Sequence, residues 1–326
     1  MEDMLDRREL LERAVLAAAP AVLGARLALP ARAGAVATTA LVTADTEAHL
    51  AVVSLARRRV TRRIATVEDP RSIQSGPAGR AVVGHAATGA VSLLEGRPLR
   101  VRRVLRGFGT PRYTAFAPGR PLAYVSDSAH GELAVVDVRA GRVVRRVAVG
   151  DGARHLALSP DGRWLWVALG SSAAEIAVVD VRDPERPRPA ARLRVPFLVH
   201  DVGFSPSGRR VWVTAGRVPR IAVYAATTRR HLRTLSADAA PQHVSFGPDV
   251  AYVASGEAGT VVVHALSDGH VRRRTRVPRG SYNVQRTAAR VVTPSLGTGA
   301  LTILDARGAV TASIHVAAAA HDACLV

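Results

Sequence analysis

The chain contains no lysine; all 45 of its basic residues are arginine. That absence excludes a Schiff-base mechanism, a lysine-activated nucleophile and a phosphate loop ending in Gly-Lys. Cysteine occurs once, at Cys324. No internal disulfide can form, so stability has to come from packing. Methionine is confined to Met1 and Met4, and aromatic residues are 4% of the chain. Beyond residue 36 no apolar run is long enough to span a membrane. Also missing are His-Glu-x-x-His, a paired Cys-x-x-Cys and Gly-x-Ser-x-Gly, and Gly297-Thr298-Gly299 lacks the third glycine of a dinucleotide loop.

What is present in excess is positive charge, +19 at neutral pH, within a chain of 326 residues that is 48% hydrophobic. The apolar content is ample for a core. The missing lysine and scarce methionine fit a codon bias toward G+C, which makes part of the charge compositional. The other reading is an anionic partner.

Residues 1–35 differ from the rest. Asp6-Arg7-Arg8-Glu9-Leu10-Leu11 resembles a twin-arginine export motif, and an Ala/Leu-rich stretch from Ala14 to Leu29 follows, interrupted by Arg26. Pro30-Ala31-Arg32-Ala33-Gly34-Ala35 then carries the small-x-small pattern of a cleavage site. The expectation is a protein exported to the periplasm, cell wall or medium, with the signal cut after Ala33 or Ala35 or kept as an anchor. The alternative is a short amphipathic helix retained in a cytoplasmic protein.

From residue 36 to 326 the sequence repeats. Ser159–Asp180 is the clearest copy: the turn Pro160-Asp161-Gly162, the strand Trp164–Ala168, a break, then the strand Ile176–Asp180. Equivalent turns lie at Gly79, Gly119, Gly162 and Gly208, and in weaker form at Asp249 and Ala289, so successive copies are 40 to 46 residues apart. Four short strands in such a period predict an all-β fold, a β-propeller with four antiparallel strands per blade. The innermost strands are read as Arg71–Ser75, Arg112–Phe116, Arg154–Leu158, His200–Phe204, Gln242–Phe246, Tyr282–Arg286 and His321–Leu325. That makes seven blades. The last has nothing after it, while the first unit (Leu41–Ala44, His49–Leu55, Val60–Thr66) lacks an innermost strand. The C-terminal strand is therefore expected to complete the N-terminal blade and close the ring.

Tyr124-Val125-Ser126-Asp127, Trp212-Val213-Thr214-Ala215 and Tyr252-Val253-Ala254-Ser255 are variants of a Tyr-Val-Thr-Asn tetrapeptide following Ser-Pro-Asp-Gly-type turns. The chain resembles the YVTN family of 40-residue propeller repeats, found in exported and surface-layer proteins of bacteria and archaea. The resemblance implies the same propeller fold and says almost nothing about a reaction.

In a propeller, residues leading into the innermost strands ring the mouth of the central channel. Two aligned columns occupy those positions: Arg71, Arg112, Arg154, His200, Gln242, Tyr282, His321, and Ser72, Tyr113, His155, Asp201, His243, Asn283, Asp322. Loops on the same face add Asp45, Glu47, His49, His85, Asp127, His130 and Glu257. Three readings stay open: solvated positions of any propeller, a small polar or anionic ligand held by the arginines with the histidines, and a metal site. Arginine forks suit carboxylate and phosphate. His155, His200, His243 and His321 are suitable zinc or copper ligands, although no cofactor is required by the sequence.

The expected function is a non-catalytic, monomeric binding or interaction module. Its ligand, or a protein partner, sits over the mouth and touches Arg112, Arg154, His155, His200 and His243. The alternatives are a hydrolase or lactonase of the propeller type, metal-assisted, and a binder of an anionic polymer through the arginine-rich opposite face. For that polymer a cell-wall component suits an exported protein better than nucleic acid, because no aromatic platform accompanies the arginines.

Overall fold

The computed structural model describes residues 39–170 and 173–326. The expected export signal lies outside them. Runs of β-branched and aromatic residues, cut by glycine, proline and aspartate, give 28 strands and no helix among the described residues. They form seven four-stranded antiparallel sheets, the blades of a propeller. Blades 2 to 7 each begin at an innermost strand: Pro70–Gly76, Pro111–Phe116, Leu156–Leu158, Val199–Phe204, Val244–Phe246 and Gln285–Arg286. Blade 1 is composite. Ala320–Leu325 pairs with Thr39–Ala44, which pairs with His49–Ser54 and then Arg59–Ala65. The ring is closed by the C-terminal strand, as the complementary deficits of the two ends require.

Period-two alternation builds the core. Leu165 and Val167 point from blade 4 into the cluster shared with Tyr124, Leu133 and Val135 of blade 3. Their neighbours Trp166 and Ala168 point the other way, against Val211, Val213 and Tyr224 of blade 5. Each blade is thus apolar on both faces, and each face is covered by the next blade. Trp166 and Trp212 are both 1% exposed, and their rings meet Phe204 and Phe246 edge-on at 5.9 and 6.0 Å. The outermost strands, such as Arg142–Ala148 and Val271–Arg276, are arginine-rich and largely exposed, and their charge protects a free sheet edge.

The turn before the second strand needs a left-handed residue. Gly119, Gly162 and Gly208 have φ between 65° and 70° there, which explains the Gly landmark of the repeat. At the outer side, register slips by one residue between the third and fourth strands of every blade, at Val135/Val136 in blade 3 and Val263/His264 in blade 6 for example. Such a bulge increases strand twist, so the outermost strand turns away from its neighbour in all seven blades.

Three innermost strands are shorter than the sequence suggests. They begin at Leu156, Val244 and Gln285 rather than at Arg154, Gln242 and Tyr282. The residues ahead of these points are irregular backbone, and in blades 4 and 6 they still bond to the second strand.

Removing residues 320–326 leaves blade 1 with three strands and an open seam against blade 2. The expected outcome is loss of most soluble folded protein, with a broadened or absent cooperative transition in thermal circular dichroism. An unchanged melting curve for the truncated chain overturns the role given to this strand.

Candidate functional site in the central channel

Where an innermost strand parts from its ladder, its backbone groups need other partners. Hydroxyl groups at the third position of the tetrapeptide provide them. The Asp201 N–H donates to Thr214 Oγ1 at 3.0 Å, and that hydroxyl donates onward to the Gln242 carbonyl of the next blade at 2.5 Å. Ser126 repeats the pattern between Tyr113 and the Arg154 carbonyl. Blade 2 has Gly84 at the corresponding position, and there Ser72 donates to the Arg112 carbonyl instead. A Cβ on Gly84 would lie 2.7 Å from Ser72 Oγ, so glycine makes room for the substitute. Blades 4 and 6 carry Ala168 and Ala254. There the backbone bonds to the second strand directly, in a bulge that sets two residues against one: Arg154 N–H to Ala168 O and Ala168 N–H to His155 O in one, Gln242 N–H to Ala254 O and Ala254 N–H to His243 O in the other.

The two aspartates of the second column also fasten blades. Asp201 accepts from Val202 N–H at 2.7 Å and from Val244 N–H of blade 6 at 3.1 Å. Asp322 accepts from Ala323 N–H at 2.7 Å and from Ile73 N–H of blade 2 at 2.9 Å. Burial raises both carboxyls to about 7, against the pull of those N–H donors.

The remaining members of the second column converge on the axis. Tyr113 stacks on His155 with ring centroids 3.8 Å apart. His155 Nε2 lies 3.0 Å from His243 Nε2, and the Tyr113 hydroxyl is also 3.0 Å from that atom. Asn283 Nδ2 sits 3.3 Å from His243 Nδ1. His200 comes in from the first column, its ring 4.6 Å from that of His155. Burial holds His155 and His200 well below the usual imidazole range, and burial with the Arg154 charge pushes His243 down to about 3. Below this layer the channel opens into a cavity of about 240 Å³ lined by Tyr113, His155, Asp201, His243, Asn283 and Asp322, among others. Members of the first column do not line it; they stand on the mouth side.

At the mouth the three arginines, equivalent in the sequence, separate. Arg71 is paired with Asp45 at 2.6 Å. Arg112 and Arg154 are half-buried, have no carboxylate partner among the described residues, and each has a buried Nε without a hydrogen bond. Burial and then repulsion from Arg154 lower the Arg112 pKa. His321 Nδ1 donates to the Arg71 carbonyl at 2.7 Å, which leaves Nε2 as the lone-pair atom. Burial first, then the Arg71 charge, holds this imidazole well below its ordinary pKa. Tyr282 is half-buried, 6.4 Å from the His321 ring.

The loop residues are mostly occupied elsewhere. Asp127 accepts from Gly109 N–H, Thr110 N–H and His130 Nδ1, and His85 bonds to Ser92 and the Glu68 carbonyl. What the columns did not reveal is the hydroxyl relay of Ser126 and Thr214; its signal was the polar third residue of the tetrapeptide.

Two variants test these roles. Thr214→Val keeps the shape but orphans the Asp201 N–H and the Gln242 carbonyl, at a cost of about 2 kcal/mol or more in denaturant unfolding. A wild-type midpoint overturns the relay. Asp322→Asn loses one acceptor at every pH, so its pH-dependent part isolates the carboxyl. Between the unfolded value of 3.8 and about 7, the folded state holds a proton that the unfolded chain has released. This group's contribution is complete below that window and is lost as pH rises through it. The variant therefore gains on the wild type between pH 4.5 and pH 8. A constant difference means that Asp322 does not titrate there.

No protein-family profile and no curated protein matches the chain. Solved structures do match in shape. A protein of unknown function from Desulfotomaculum acetoxidans superposes with a TM-score of 0.77 at 12% identity, covering 88% of this chain and 98% of its own. A putative 6-phosphogluconolactonase from Bacteroides uniformis gives 0.75 at 13%, covering 88% and 99%. The periplasmic gluconolactonase of Pseudomonas aeruginosa gives 0.73 at 18%, covering 88% and 98%. At these identities the likeness establishes the propeller fold. Two of the three proteins are named as lactonases, which speaks against the expectation of a non-catalytic binding module.

Proposed function

We propose that the chain is a lactone hydrolase working at the channel mouth, with a sugar-acid lactone carrying an anionic group as its substrate class. The observation that supports this most is the pair of half-buried guanidinium groups, Arg112 and Arg154, left without carboxylates on the mouth side, where the Arg71 carbonyl also fixes the tautomer of His321. Uncompensated guanidinium in a partly dry site is a receptor for an anion. In this reading it holds the phosphate or carboxylate of the substrate and the oxyanion that forms on its carbonyl oxygen.

His321 Nε2 takes the proton from water as its oxygen attacks the ring carbonyl carbon. The ring C–O bond then breaks, and the proton passes to the leaving alkoxide to give the open hydroxy acid. Burial keeps this imidazole neutral at pH 7 and makes it a weak base. A weak base suits a substrate whose ester is already activated by ring strain. Membership in the YVTN repeat group and export through the twin-arginine signal belong to the same reading, supported by the tetrapeptide variants and by Arg7-Arg8 ahead of the apolar stretch.

The test is hydrolysis of gluconolactone and 6-phosphogluconolactone, followed by acid release above the buffer rate. Arg112→Ala and Arg154→Ala are expected to raise KM at least tenfold for the phosphorylated lactone and less for the neutral one. His321→Ala is expected to lower kcat about a hundredfold with little change in KM. No hydrolysis of either lactone by the wild-type chain sinks the proposal.

A further inference from the structure

Three buried imidazoles have no part in the lactone reading. His155, His200 and His243 come from blades 4, 5 and 6, and each offers a ring nitrogen within 4.8 Å of the others. They are 1%, 7% and 7% exposed. We propose that these three histidines form a binding site for one divalent transition metal ion of the zinc class, with an open position toward the channel.

Three observations carry the assignment. The first is spacing. Tetrahedral zinc with bonds of about 2.0–2.1 Å to imidazole places its ligand atoms about 3.4 Å apart. The contact between His155 Nε2 and His243 Nε2 is 3.0 Å, and a His200 ring nitrogen lies within 4.8 Å of both, so ring rotations can bring the set toward that geometry.

The second is an excess of nitrogen and hydroxyl groups at one point. His243 Nε2 faces both the His155 Nε2 atom and the Tyr113 hydroxyl at 3.0 Å. One lone pair cannot serve two donors, and two lone pairs cannot face each other in a buried site without a proton or a cation between them.

The third is orientation. Asn283 Oδ1 is buried and unpartnered, while the same amide lies 3.3 Å from His243 Nδ1. With the amide turned so that Oδ1 accepts from the Nδ1–H, His243 is fixed as the tautomer whose Nε2 can ligate. The Asp201 carboxylate stands 3.8 Å from the same Nδ1, where it offsets added positive charge. The opposing charge is Arg154, and Asp322 is the other carboxylate of this layer. Imidazole nitrogen as the whole donor set favours zinc, copper or nickel over calcium or magnesium. On the cavity side of the triad there is room for a fourth, exchangeable ligand.

This site stands apart from the lactone reading, because metal binding is measured without any substrate. The full chain, purified without a His tag and dialysed against EDTA, is titrated with Zn²⁺ against a chromophoric chelator and separately loaded with Co²⁺. The expected results are one metal ion per chain, sub-micromolar zinc affinity, and the intense visible bands of tetrahedral cobalt. Zinc should also raise the thermal midpoint of the wild type. His155→Ala, His200→Ala and His243→Ala should each weaken zinc binding at least a hundredfold, with His270→Ala, an exposed histidine, unchanged. Should buried variants fold poorly, the wild-type cobalt spectrum and melting shift decide by themselves. Absence of stoichiometric zinc binding, a pale octahedral cobalt spectrum, or full affinity in a folded His155→Ala/His243→Ala chain overturns the proposal.

Discussion

Everything near the axis depends on one requirement: a backbone N–H or carbonyl that leaves its sheet inside the protein must find another partner. Seven strands converge there, and steric crowding at the axis favours their early separation from the ladder. The repeat answers with a short hydroxyl side chain one strand out. Thr214 and Ser126 bridge outward to their own blade and onward to the next. The same atoms that satisfy the backbone therefore set the spacing between blades. A side chain at the head of an innermost strand is freed from the sheet face and held at the axis by the connection that replaced its ladder.

This explains how unlike residues share equivalent positions. Tyr113, Asp201, Asn283 and Asp322 lie beside second strands that carry a hydroxyl, whereas His155 and His243 lie in bulges opposite Ala168 and Ala254, bonded backbone to backbone. Two carboxylates reach across to the neighbouring blade, and two imidazoles reach toward each other. Scaffold and chemistry thus alternate around a single ring of residues.

The fold was legible in the sequence because its signals are local. Turn glycines and period-two apolar runs such as Trp164–Ala168 fall within a few residues of one another, and each end deficit is read from its own short stretch even though the two lie at opposite ends of the chain. The site was legible only as columns. His155, His200 and His243 are each more than 40 residues from the next, and no spacing rule states that their rings touch. Nor could alignment separate Arg71, neutralised by Asp45, from Arg112 and Arg154, which are not. No contiguous motif marks the channel residues, because a propeller gathers them one per blade. The Ser72–Gly84 exchange was hidden for a related reason, since a missing Cβ and a displaced hydroxyl look like two unconnected defects until they are seen together.

The composite blade also orders events in time. Asp322 contacts Ile73 and Thr43 across 249 and 279 residues of chain. These are the slowest contacts to form, because loop closure grows more costly with the length of the intervening chain. During synthesis, strands 39–65 emerge early and must wait for residues 320–325, with one sheet edge unfilled in the interval. Between those moments the nascent chain carries an apolar strand face exposed to other strands, and a chaperone or rapid stacking of the middle blades has to shield it. Ring completion is thus a clock as well as a lock, and it starts only once residues 320–325 have been made.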